Sequence, residues 1–143
     1  MLMNSKQHRY DVAYLKMALE WAKLSHCKRK QVGALIVKDR MIISDGFNGT
    51  PSGFDNCCED DDGLTKWEVL HAEANAILKV ASSTQSTAGA TLYITLSPCQ
   101  QCSKLIHQSG IKRVVYSKAY KDISGIHFLE KAGVETQYLP INE

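Results

Sequence analysis

The 143-residue sequence has no apolar run near the roughly 20 residues that a membrane-spanning helix requires. It also has little net charge: 17 basic and 15 acidic side chains leave +2, with Lys and Arg scattered rather than striped. A balance this small argues against a nucleic-acid-binding protein, which needs a basic face. The first residues, Met1-Leu2-Met3-Asn4-Ser5-Lys6, lack the apolar core of a signal peptide, so the cytoplasm is the expected compartment. Internal repeats and a domain linker are absent too. The chain therefore reads as one domain over residues 1–143, long enough to bury a core without staples.

The 44% apolar and 22% charged fractions are those of a globular protein. Five cysteines in a reducing compartment are not expected to form a disulfide framework. Their number is odd, Cys57 and Cys58 are adjacent, and the spacing of Cys99 and Cys102 points to metal chemistry.

Apolar periodicity predicts an amphipathic helix from Tyr10 to His26, with Asp11 near its start to complement the helix dipole. Val32–Lys38 and Met41–Asp45 read as two strands of a hairpin turning at Asp39-Arg40. A long loop follows from Gly46 to Lys66, of a length that is often functional. Its acidic run, Glu59-Asp60-Asp61-Asp62, reads as a solvated tip that points away from any phosphate. Helices are expected over His71–Ala81, about Pro98–Ser109 and Ser124–Ala132, the last two stopped by Gly110 and Gly133. Strands are expected at Ala90–Leu96, Ile111–Ser117 and Val134–Leu139. A hairpin followed by strand–helix alternation gives an α/β mixed sheet with helices on both faces. Ligands in such sheets bind beyond strand ends, and Ser97-Pro98-Cys99 is a strand-to-helix turn of that kind.

Two motifs carry chemistry: His71-Ala72-Glu73 and Pro98-Cys99-Gln100-Gln101-Cys102. Cysteines three apart at a helix start put both sulfurs on one face, roughly 5–6 Å apart at Cβ. That is close enough to share a zinc ion, and the helix N-terminus favours thiolates. Two thiolates and an imidazole make three protein ligands, the number that leaves a catalytic zinc one position for water. His26, Cys27, Cys57 and Cys58 could supply a fourth ligand, but spacing places none of them there. Glu73 lies two residues beyond His71, about 200° around a regular helix. Both can address one site only if His71 stands at the helix entrance. A carboxylate beside the metal, not bound to it, can then carry protons.

His71-Ala72-Glu73 with Pro98-Cys99-x-x-Cys102 resembles the signature of the cytidine/deoxycytidylate deaminase superfamily, H-x-E…P-C-x-x-C. Gln31-Val32-Gly33-Ala34 and Gly46-Phe47-Asn48-Gly49-Thr50-Pro51-Ser52-Gly53 are similar to the deoxycytidylate (dCMP) deaminases, with Phe47 in place of the more usual Tyr. The resemblance runs from about Tyr14 to Gly133. It implies a three-layer αβα sandwich around a five-stranded mixed sheet, and a Zn2+ cofactor. It also implies hydrolysis of dCMP to dUMP and ammonia by a metal-activated water, with Glu73 protonating N3 and then the departing amine. By the same analogy Asn48 contacts the sugar, the backbone around Ala72 and Ser97 the base edge, and Tyr120 and Lys121 the 5′-phosphate. Homo-oligomers, often hexamers, and dCTP or dTTP effectors also belong to that family pattern. On residues alone, the sequence favours a turn role for Asn48 and a core position for Trp67, and a solvated loop pair for Tyr120-Lys121 competes closely with the phosphate role. A second metal at Cys57 and Cys58 lacks further placed ligands.

Other readings are a deaminase of cytidine, guanine or tRNA adenosine, and a non-catalytic zinc-stabilised assembly module. The modest charge argues against tRNA, the Gly46–Gly53 loop against a free nucleoside, and Glu73 against a module without chemistry.

Overall fold

The computed structural model describes residues 5–141. Five strands form one sheet in the order β2-β1-β3-β4-β5. The strands are β1 (Gly33–Lys38), β2 (Met41–Phe47), β3 (Thr91–Ile94), β4 (Arg113–Tyr116) and β5 (Glu135–Tyr138). β1 runs antiparallel to both β2 and β3, whereas β3, β4 and β5 are parallel. The helices are α1 (Lys6–Ala22), α2 (Ala72–Ala81), α3 (Gln100–Gln108) and α4 (Ser124–Lys131). This is the mixed sheet with helices on both faces that the alternation of elements predicts.

Strand side chains alternate between two cores, as the twofold period of a strand requires. Ala34, Ile36, Leu92, Ile94 and Val114 face the layer of α2, α3 and α4. Leu35, Val37, Tyr93 and Val115 face α1 through Tyr14, Leu15 and Ala18. β1 is therefore apolar almost without interruption, because it is covered on both sides. Asp39 and Arg40 take φ of 52° and 62°, so two left-handed residues make the expected tight hairpin.

Several element boundaries differ from expectation: α1 ends at Ala22 rather than His26, β3 is trimmed to Thr91–Ile94, and two further shifts have clear local reasons. α1 starts four residues before Tyr10 because the Ser5 hydroxyl accepts the His8 amide at 3.1 Å and caps the helix. Asp11 consequently lies inside the helix and is not the dipole partner that the sequence suggested. It is buried beneath the sheet, where the Arg113 guanidinium grips both of its oxygens at 2.9 and 2.8 Å. Tyr93 and Gln7 donate to Asp11 at 2.6 and 2.9 Å, and Arg113 reaches on to Gln137 and Glu135. One carboxylate thus ties α1 to β3, β4 and β5. β2, for its part, extends to Phe47, since Gly46 and Phe47 still pair with Ala34 and Gly33.

Three other expectations are corrected. Trp67 is not core: it is 93% exposed on the long loop. Cys27 and Cys58 are joined by a disulfide, leaving Cys57, Cys99 and Cys102 free. The expectation against disulfides came from the compartment, which says nothing about which sulfurs the fold brings together. Finally, the acidic run divides. Asp60, Asp61 and Asp62 are exposed, but Glu59 turns inward and accepts the backbone amides of Lys28 and Arg29.

Burial alone would raise the Asp11 pKa, but the bonds from Arg113, Tyr93 and Gln7 outweigh it and hold the carboxyl below its ordinary value. A depressed acid stabilises the fold above the unfolded carboxyl pKa, and that contribution is lost as pH falls through the folded value. Asp11→Asn strands the buried guanidinium and should cost about 3–5 kcal/mol in urea unfolding at pH 7. The penalty should shrink as the wild type is titrated into acid.

Candidate active site

β3 ends at Ile94, and the chain turns through Ser97 and Pro98 into α3. Cys99 is the N-cap of α3, in extended conformation, and its sulfur accepts the Cys102 amide at 3.5 Å. Cys102 therefore sits one turn in, on the same side. α2 begins the same way. His71 is its N-cap, with φ −75° and ψ 159°, and its imidazole makes no capping bond. It turns to the cysteines instead: Nδ1 lies 3.6 Å from Cys99 Sγ and 3.3 Å from Cys102 Sγ. His71 thus stands at the helix entrance, and Glu73, in the first turn, is buried beside it. This geometry removes the conflict that a regular helix would impose on an H-x-E pair.

Close backbone packing seats both helix starts. A Cβ at Gly46 would lie 2.5 Å from the Ala72 carbonyl oxygen, so only glycine lets β2 meet α2 there. At the start of α4, a Cβ on Gly125 would lie 2.3 Å from the Pro98 carbonyl oxygen.

Among the described residues, His71, Cys99 and Cys102 form the one group of side chains arranged to hold a metal, with donor atoms within 4.8 Å of one another. In a tetrahedral zinc site, nitrogen and sulfur ligands stand about 3.6 Å apart, so the separations here suit zinc. The donor chemistry fits as well. Hydrogen bonds from the Cys102 thiol and from His71 push the Cys99 thiol down to about 3. The same bond to Cys99, with burial, pushes Cys102 up, and the bond to Cys99 raises His71 against the effect of burial. A divalent cation held here would displace the thiol protons. Burial pushes the Glu73 carboxyl up to about 7, opposed by its own backbone amide and by His71.

Two of the three donors, His71 and Cys99, open on a cavity of about 230 Å³, the scale of one small metabolite, at the C-terminal ends of β2 and β3. His71, Ala72, Glu73, Ser97 and Cys99 line its floor, and Asn48 and Tyr120 its wall. Ser97 Oγ accepts the Tyr120 amide at 2.8 Å, which fixes the wall to the turn. Asn48 is buried and committed to backbone: its Oδ1 accepts the Val32 amide at 2.9 Å, and its Nδ2 donates to the Lys30 carbonyl at 2.8 Å. Lys121 is exposed and does not line the cavity. The cations that do are Arg29 and Lys30, with Lys30 Nζ 3.7 Å from the centre of the Tyr120 ring. Sequence reasoning passed over both. The run Lys28-Arg29-Lys30 was visible, but nothing local tied it to a site assembled from residues 48 to 120.

The family description "Cytidine and deoxycytidylate deaminase zinc-binding region" matches residues 8–118. The chain belongs to the cytidine and deoxycytidylate deaminase family. The deoxycytidylate deaminase of Mycobacterium phage D29 is 40% identical over 123 residues, covering 76% of this chain and 94% of that protein. The Saccharomyces cerevisiae deoxycytidylate deaminase is 36% identical over 94% of this chain, which spans 46% of the yeast protein. Among solved structures, the dCMP deaminase of cyanophage S-TIM5, in complex with dCMP and dUMP, superposes with a TM-score of 0.89. It is 46% identical, with 94% of this chain and 98% of that one covered. The five-stranded mixed sheet with helices on both faces is accordingly this family's cytidine deaminase-like fold.

Protein purified with zinc should retain about one equivalent per chain after dialysis against a weak chelator. Cys102→Ala, which keeps His71 and Cys99, should retain far less, as read by elemental analysis. Equal retention by wild type and variant would remove Cys102 from the donor set.

Proposed function

We propose that this protein hydrolyses dCMP to dUMP and ammonia. One observation carries the reading: a cavity in a chain of this family is lined by a buried carboxylate, two cations and two members of the three-donor cluster. The relatives named for dCMP deamination, and the phage structure holding dCMP and dUMP, support it.

In this reading His71, Cys99 and Cys102 hold zinc, which when bound acidifies a water so that it can attack at neutral pH. Glu73 moves the protons. Its carboxyl, pushed to about 7 by burial, can take a proton from the water and give it up within the same turnover. The water's first proton goes to the ring N3; its second, taken from the new C4 hydroxyl as the carbonyl forms, goes to the amine leaving C4 as ammonia. Ala72 and Ser97 address the base edge and Tyr120 forms the wall of the phosphate end, while Asn48 reaches the sugar only through the capacity its amide keeps beyond the Val32 and Lys30 bonds. Arg29 and Lys30 replace Lys121 as the groups that meet the 5′-phosphate, since they line the cavity and Lys121 does not.

The chain has no described helix long and apolar enough to cross a membrane. We place it in the cytoplasm, with Cys27 and Cys58 side by side, 5.1 Å apart at Cα, whatever the redox poise there. Homo-oligomeric assembly and control by dCTP or dTTP enter this reading through the family resemblance alone.

Ammonia release from dCMP, CMP, cytidine, deoxycytidine and guanine tests the substrate. dCMP should be turned over with the highest kcat/KM, and equal activity on deoxycytidine would remove phosphate recognition. Glu73→Gln should keep its zinc and lose about 10²–10⁴-fold in kcat. A variant that turns over normally would end the proton-carrier role.

A further inference from the structure

The segment between α1 and β1 carries three consecutive cations, Lys28, Arg29 and Lys30, without helix or strand. Three like charges in a row repel one another, and an unsupported loop would spread them through solvent. Here the segment is fastened at each end. Cys27 is bonded to Cys58, and Asn48 holds the backbone at Lys30 and Val32. Between those ends a single atom does the fastening. Glu59 Oε2 accepts the Lys28 amide at 3.0 Å and the Arg29 amide at 3.2 Å. Glu59 follows Cys58 directly, so the packing of Cys58 against Cys27 brings its carboxylate to the bend.

Glu59 also lines the cavity, together with Arg29 and Lys30. A carboxylate at that end of a nucleotide site would ordinarily weaken the hold on a phosphate by like-charge repulsion. Its placement makes sense if its charge is engaged and its work is to shape the loop. Two successive amides drawn to one oxygen fix the backbone at Lys28 and Arg29. That leaves the side chains of Arg29 and Lys30 to reach the cavity.

We propose that Glu59 is a positioning residue for phosphate specificity. By binding the Lys28 and Arg29 amides it sets the loop that presents Arg29 and Lys30 to the substrate's 5′-phosphate. The inference rests on the dCMP reading above and extends it to a residue that never touches the reacting ring.

The test compares kcat/KM for dCMP and for deoxycytidine in wild type, Glu59→Ala and Glu59→Gln, with thermal melting to confirm folding. The dCMP-to-deoxycytidine ratio should fall about tenfold or more in Glu59→Ala, through KM for dCMP rather than kcat. Glu59→Gln keeps a carbonyl oxygen for the two amides and should recover most of the ratio. A ratio that rises in Glu59→Ala would show Glu59 acting as a repelling charge and would overturn the proposal. So would an unchanged ratio, or equal losses on both substrates, which mark a structural role only. If wild type itself does not prefer dCMP, the substrate reading fails and this inference with it. A wild-type preference that survives Glu59→Ala removes the inference alone.

Discussion

Cys99 and Cys102 must meet an imidazole that stands 28 residues before the first of them, on a helix that follows a different strand. That requirement organises the molecule. It is met because α2 and α3 start at the same place, each capped by a residue whose side chain has work other than capping. Ala34, Ile36, Leu92 and Ile94 hold the two helices on one face. Glycines at positions 46 and 125 let backbones approach where a methyl group would block them. The buried Asp11–Arg113 cluster fixes the opposite face, so the strand ends that carry the turns are held from both sides.

The cavity is electrostatically divided. At its floor, burial pushes the Glu73 carboxyl up to about 7, beside the donor sulfurs. At its mouth stand two cations, Arg29 and Lys30, the second over an aromatic ring, and the acid that also lines the cavity is occupied by backbone amides. The floor suits a group that gains and loses protons. The mouth suits a fixed negative charge. A nucleotide has both needs in one molecule, the base at one end and the phosphate at the other.

Much of this was legible in the sequence, and the reason differs by residue. His71, Cys99 and Cys102 announce themselves because metal ligands come as rare residue types at fixed spacing. The sheet and its two covered faces follow from apolar periodicity, and the hairpin follows from its flanking strands. What escaped depended on contacts between distant segments. Asp11 reads as a dipole partner until Arg113 is folded beneath it. Glu59 reads as part of a solvated run until Cys27 and Cys58 bring it under Lys28. Arg29 and Lys30 look like ordinary surface cations, since nothing near them in the chain marks a cavity. Lys121 was attractive for its position after a strand, but the chain there turns outward. Trp67 was read as core from its residue type, and its loop carries it into solvent.

The use of cap residues as donor groups binds two equilibria together. His71 and Cys99 occupy the positions where their helices begin, so the donor set exists only while both helices are formed and docked on the sheet. Any cation held there would be lost on unfolding and would in turn favour the assembled chain. The grip on the ion is then a gauge of tertiary order. A packing fault deep in the sheet, far from any ligand, would register first as a looser hold on the metal, while the outline of the molecule was still intact.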